Sequence, residues 1–358
     1  MCRTAPLIIG GGPAGAAAAV NLARAGLKPL LIERNIETSD ALCGGFLSWT
    51  TIRRLRELGV DPLALGARPV ETLALFSGHS SATARLPALA AALSRRTLDA
   101  ALLTCASAAG ARVERGVSAR ALEQGRVRLG DGGEIAASCL ILATGKHELR
   151  GAVRPHPSGD TALGLRWRLR GSATLARLTS GRIELHLFRG GYAGLVMQED
   201  GSANLCLAVR RSRFSEAEGR PEQLLAALAE ESPALAIRLA GAIVSPAQAI
   251  ANVPYGWRAQ AGDPDLYRVG DQAGVIPSLA GEGIAVAILS GQAAADAIAR
   301  GEPAGNFQRT FSRRLWGPIT PAHLLWRAAE IPATASLLVG AVAIAPSLAS
   351  LAARLTRV

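Results

Sequence analysis

Residues 6–34 read PLIIGGGPAGAAAAVNLARAGLKPLLIER. Leu7 to Ile9 form an apolar run too short for a helix and read as a buried strand. Ala14 to Ala25, ended by Gly26, reads as a helix, and Pro29 to Ile32 reads as a second, parallel strand closed by Glu33. Between the first strand and the helix stand Gly10, Gly12 and Gly15, spaced GxGxxG. The first allows a tight turn, the second lets backbone approach a pyrophosphate, and the third lets helix and strand pack closely. The helix N-terminus meanwhile presents free N–H groups to an anion. The Glu33 carboxylate is placed to accept both hydroxyls of an adenosine ribose and to repel a 2′-phosphate, which favours FAD or NAD over NADP.

A second glycine-rich bend, Gly270 to Gly291, decides between those two, because a single nicotinamide site has no need of it. Asp271 follows a strand ending at Val269 and is placed to hold ribityl and pyrophosphate oxygens of a flavin nucleotide. PSLAGEGI then turns the chain into a helix starting near Ile284, whose positive end stabilises an anionic reduced flavin. FAD is therefore the expected cofactor.

The 358 residues suffice for two domains or one large α/β unit, and 49% hydrophobic content excludes disorder. The net charge is +11, yet Lys28 and Lys146 are the only lysines; scattered arginine supplies the rest. No basic run is interleaved with aromatics, so no nucleic-acid partner is expected. Cys2, Cys43, Cys105, Cys139 and Cys206 lie too far apart for a metal or disulfide framework. The first apolar run begins within six residues with no export segment before it, and cytoplasm is the expected compartment. Residues 331–353 carry no charge, but Pro332, Gly340, Pro346 and the alanine content argue for helices packed over the body rather than a membrane span. Peripheral contact with a membrane surface stays open.

Further along, Ser94 to Ala109 reads as a helix, Arg112 to Arg115 as a strand, Arg126 to Leu129 and Glu134 to Ala136 as a hairpin, and Cys139 to Ala143 as a buried strand. From about Thr161 the pattern changes to alternation broken by Gly-Gly and Asp-Gly, which predicts antiparallel strands. Pro221 to Leu239 is helical in pattern. The fold class expected is α/β, α+β overall: a Rossmann-like FAD-binding domain, an antiparallel β-sheet substrate domain and C-terminal helices. Residues 1–75, 88–150 and 262–310 are assigned to the first, 76–87 and 151–261 to the second, and 311–358 to the helical segment.

Read with ALCGGFLSWTTIRRLRELG (41–59), LSRRTLDAALL (93–103) and LILATGKHELRG (140–151), the two bends resemble the FAD-dependent aromatic hydroxylase and geranylgeranyl reductase superfamily, with a p-hydroxybenzoate hydroxylase-like fold. ATGKHELRG, ELHLFRGGYAGL and ANLCLAVRR are most similar to flavoprotein monooxygenases associated with type III polyketide synthases. The resemblance implies that Arg95 approaches the FAD pyrophosphate, that Asp271 is the acid of the GD motif, and that Pro277, Gly281 and Gly283 form the loop facing the flavin; Glu282 and Ile284 belong to the expected cofactor-binding set as well. Gly10, Gly12, Pro13, Ala14, Gly15, Glu33, Arg34, Ala143, Thr144, Gly145 and Gly270 complete the expected cofactor-binding set. Where hydroxylases of this class carry Asp-Gly, this chain has Ala143-Thr144-Gly145, and its GEGI form is more similar to the reductase branch.

The implied activity is FAD-dependent monooxygenation of an apolar phenolic or polyketide-type small molecule through a flavin hydroperoxide, in secondary metabolism, with NADPH or NADH as transient reductant. The alternative is FAD-dependent reduction of a carbon-carbon double bond. Cys43, in the CGG of residues 43–45, is similar to a reductase cysteine near the flavin face, although a lone cysteine also serves as packing; Gly44 and Gly45 allow backbone to lie beside an isoalloxazine ring. His186, Tyr192 and His147 are the candidate bases, and Trp167, Phe188 and Tyr192 the candidate cavity aromatics. A halogenase on this core would carry a WxWxIP signature and a lysine near the oxidant, and neither is read here. No obligate protein partner is expected.

Overall fold

The computed structural model describes residues 5–155, 159–262 and 265–358. Leu7–Ile9 lies between Leu30–Glu33 and Leu140–Leu142, and the outer strands of this five-stranded sheet are Arg112–Arg115 and Leu266–Arg268. Every pairing is parallel, with Leu7 opposite both Leu30 and Leu140. Both faces are covered, which is why the central strands are continuously apolar. The helix Pro13–Arg24 is buried along its length, its alanines letting it sit close to the helix Gly283–Ala299. A Cβ on Gly291 of that second helix would overlap the Ala14 carbonyl oxygen.

The second sheet runs Ile243–Val244, Ala162–Arg170, Ala203–Arg210, Gly191–Met197, Arg182–Phe188, Arg68–Ser77, Ser80–Ala92 and Phe46–Leu47, with Gln248–Val253 also paired to Ala162–Arg170. It is mixed rather than purely antiparallel, because Arg182–Phe188 runs parallel to Arg68–Ser77. Phe46–Leu47 already belongs to it, and the hairpin that follows spans Arg68–Ala92 rather than the expected 76–87. Sequence reading passed over these two strands because Pro69 and Pro87 punctuate them. The expected helix over Pro221 to Leu239 is two, Pro221–Glu231 and Pro233–Leu239: Ser232 caps the second and Pro233 cannot continue the first.

The sheet is covered on both faces. One face packs Trp167, Leu195, Leu205 and Leu207 against Leu224, Leu228 and Leu235 of those helices. The other packs Leu75, Leu187 and Tyr192 against Trp326, Ala335, Val339 and Ala349 of the C-terminal helices Ala304–Ala329, Pro332–Ile344 and Ser347–Leu355. Cys2 lies outside the described residues.

Candidate functional site

The two glycine-rich bends meet. Gly270, with φ +60°, would place a Cβ 3.1 Å from the Ala14 Cβ, and its N–H donates to Ser290 Oγ at 2.7 Å. At Gly10 φ is +107°, and a Cβ would stand 2.5 Å from the Ala143 carbonyl oxygen, so only glycine fits between the first and the Leu140–Leu142 strands. Gly12 precedes the helix with no side-chain cap and no acid in the first turn, leaving N–H groups unanswered by the protein. A Cβ on Gly12 would meet only Arg95 Nη2, at 3.3 Å. Uncapped amides with a guanidinium beside them fit a pyrophosphate. On the ribose side, Glu33 Oε2 accepts from Gly11 N–H at 2.7 Å and Oε1 from Asn35 N–H at 3.0 Å, which holds the carboxylate at the edge of the cradle.

From the cradle a cavity of about 960 Å³ runs beneath the second sheet. Its walls include Gly10, Gly12, Pro13, Ala14, Glu33, Arg34, Cys43, Gly44, Gly45, Arg95, Ala143, Thr144, Gly145, Gly270, Asp271, Gly281, Gly283, Ile284 and Tyr192. Most of the expected cofactor residues are thus brought together. Gly15 does not reach the cavity; a Cβ there would overlap the Gly10 carbonyl, so its part is helix–strand packing. Pro277 and Glu282 also stand off it. Instead of facing a flavin, Glu282 turns into the protein, fully buried, and pairs with Arg357 near the C-terminus. Burial pushes its carboxyl up, against the pull of Arg357.

His186, expected as a candidate base, lies outside the cavity. On Arg182–Phe188 the odd residues Ile183, Leu185 and Leu187 line the cavity, so His186 points to the opposite face. There it stacks on Phe76 at 4.6 Å and its Nε2 lies 3.3 Å from Glu184 Oε2, which Arg238 Nε also reaches at 2.8 Å. Burial lowers the His186 pKa from its ordinary 6.5, opposed by Glu184. Trp167 and Phe188 are likewise packed on that far side, not in the cavity. His147 stands at the rim with Arg34 Nη2 2.9 Å from its Nε2, and burial and Arg34 both lower its pKa.

Several residues were missed. Asn204 Nδ2 donates to the carbonyls of Cys43 (2.9 Å) and Gly44 (2.8 Å), and Arg166 Nη1 donates to the Ala41 carbonyl at 2.9 Å, so strand side chains pin the CGG loop against the cavity. Nothing lies within 4 Å of where a Gly44 Cβ would be. Lys146, one of the two lysines, lines the cavity and donates to Asp271 Oδ2 at 3.0 Å. Its mutual attraction with Asp271 raises the lysine pKa; burial works to raise that of Asp271, but Lys146 together with Arg154 and Arg95 holds the carboxyl below its ordinary range. A lysine therefore does stand in the cavity, contrary to expectation. Arg95 is held in a two-pronged pair with Asp99, Nε–Oδ1 2.8 Å and Nη2–Oδ2 2.6 Å; burial works against its charge and Asp99 restores it.

Three distant segments place hydroxyls together. Tyr192 OH donates to Ser278 Oγ at 2.6 Å, and Tyr255 OH lies 2.6 Å from the same oxygen. All three residues line the cavity, whose walls also include the apolar Leu73, Leu75, Leu86, Leu187, Val196, Leu325, Leu338 and Val342. Burial pushes the Tyr192 hydroxyl well above its usual range and Tyr255 up to about 12.

The FAD binding domain family matches residues 3–149. Among solved structures, the flavin-dependent brominase Bmp2 superposes with a TM-score of 0.80 at 17% identity, over 98% of this chain and 92% of that one. PqsL, a probable FAD-dependent monooxygenase from Pseudomonas aeruginosa, gives 0.71 at 17% identity over 92% and 97%. A geranylgeranyl bacteriochlorophyll reductase-like protein from Thermoplasma acidophilum gives 0.74 at 21% identity over 94% and 90%. At these identities what is shared is the fold, and it is consistent with the aromatic hydroxylase superfamily that the motifs resemble. No curated protein sequence matches the chain.

Proposed function

We propose that this chain, an FAD-dependent oxidoreductase by its FAD-binding domain and fold, is a monooxygenase that hydroxylates an apolar phenolic or polyketide-type molecule. FAD, when bound, supplies the redox chemistry, accepting electrons and activating oxygen. NADPH or NADH is the proposed reductant. The cradle at Gly10 to Ala14 with Arg95 would hold the pyrophosphate and Glu33 the ribose, and the uncapped start of Gly283–Ala299 would supply its partial positive charge to a reduced flavin.

The observation that carries the reading is the Tyr192–Ser278–Tyr255 cluster in a cavity where Tyr192 packs with the apolar Leu75, Leu187 and Val342. Three hydroxyls own three hydrogens, and the two bonds that join them use two, so one hydrogen and several lone pairs remain for a ligand. Because burial keeps both tyrosines protonated at neutral pH, the cluster binds and orients a phenol oxygen by giving and accepting hydrogen bonds, and takes no proton from it. The leucine and valine walls receive the rest of the molecule and exclude water from the reacting centre.

Turnover under labelled molecular oxygen tests this: one labelled oxygen atom is expected in the product, and intact turnover without label overturns the proposal. Cys43 in the cavity wall, on a loop held by Asn204, favours double-bond reduction as the second reading. Reduction of an enal or isoprenoid in the absence of oxygen would be its sign.

A further inference from the structure

Residues 304–358 carry Arg309, Arg313, Arg314, Arg327, Arg354 and Arg357 against a single acid, Glu330. That acid is already neutralised by Arg210, with Nη2 2.8 Å from Oε2. Arg357 is committed to Glu282, whereas Arg313, Arg314, Arg327 and Arg354 make no ion pair among the described residues.

The same three helices concentrate exposed apolar side chains. Of the fourteen large hydrophobic residues that are exposed among the described residues, eight fall between 316 and 355. On Pro332–Ile344, Leu337 and Ile344 are 71% and 89% exposed and, seven residues apart, share one side of the helix. On Ser347–Leu355, Leu348, Leu351 and Leu355 recur at helical spacing with Arg354 beside them. On Ala304–Ala329, Trp316 and Leu324 share the outward face with Arg313 and Arg327. The opposite faces are just as apolar: Ala335, Val339, Val342 and Ala349 are in the core. Leu348 is both a cavity wall and 44% exposed, so the cavity reaches the outside at this apolar surface.

We propose that the outer face of these helices docks on an anionic lipid surface, lying in its interface. Apolar stripes bordered by arginine are what such a surface binds. Among the described residues no single helix is long and apolar enough to cross a membrane, and the successive helices Ala304–Ala329 and Pro332–Ile344 are bent by 112° to one another. A second copy of the chain is the poorer occupant, since it would bring arginine faces together with no acid to answer them. Docking depends on the surface alone, so its failure leaves the oxidoreductase reading intact.

The test sediments the full-length, FAD-loaded protein with phosphatidylcholine vesicles, with and without phosphatidylglycerol, beside a Leu337→Glu, Ile344→Glu double variant. Neither residue lines the cavity, and retained FAD content and melting temperature report that the variant is folded. The wild type should partition onto the phosphatidylglycerol vesicles, less so at high salt, and the variant about tenfold more weakly or beyond. No partition by the wild type, equal partition onto neutral vesicles, an unchanged folded variant, or a wild-type dimer in solution that the variant dissociates each overturns the proposal.

Discussion

Ser278 accepts from one tyrosine and bonds a second, so removing its hydroxyl undoes the cluster while leaving both rings in place. In Ser278→Ala, turnover of the phenol that gives the largest flavin difference spectrum should fall about 10- to 100-fold, since misplacing a substrate by an ångström costs that much. FAD content should not change, because the cradle lies elsewhere; unchanged kcat in an FAD-replete variant would remove the cluster from the reaction. Gly10→Ala should do the reverse. With φ at +107° and the Ala143 carbonyl 2.5 Å from the new Cβ, the turn must open, and the purified protein should emerge with little bound flavin. Gly10 was legible because the rest of its motif, Gly12 and Gly15, sits within a few residues of sequence. The hydroxyl cluster was not, since residues 192, 255 and 278 belong to separate elements and no local pattern joins them.

The strand Arg182–Phe188 shows why a whole element was misjudged at one position. Alternation separates Ile183, Leu185 and Leu187 from Glu184 and His186, but it cannot say which set faces a ligand when both faces of the sheet are covered. Here the apolar set faces the cavity and the polar set forms a buried cluster with Arg238, tying the strand to the helix Pro233–Leu239. Arg238→Ala would leave Glu184, fully buried, without its cation, and should cost about 3–5 kcal/mol of stability in denaturant unfolding. The same cluster has a pH signature. Because burial holds the His186 pKa below 6.5, the unfolded chain takes up a proton below that pH which the folded chain refuses, so stability is lost as pH falls. Between pH 7.5 and 5 the wild type should therefore lose more stability than His186→Gln; parallel melting curves would place the charge change elsewhere.

At the scale of the whole molecule, the cavity draws walls from both sheets and from the C-terminal helices, so a dinucleotide bound there would touch all three. The nucleotide half was legible, because two short motifs each carry their own strand, turn and helix, and the structure brings Gly270 against Ala14. The substrate half was not, because long sheet strands with prolines and apolar terminal helices have no such local mark. Arg95 is partly buried and balanced by Asp99, while the first-turn amides of Pro13–Arg24 are unanswered until an anion arrives. Only the folded chain assembles that cradle, so FAD binds the native state alone and must stabilise it. At a hundredfold excess over its dissociation constant the gain is about 2.7 kcal/mol, which for 358 residues raises the melting temperature by roughly 4 °C. The apoprotein should show that rise on adding FAD and Gly10→Ala should not. A wild type whose melting point ignores FAD would mean that the two glycine bends, though adjacent, hold no dinucleotide.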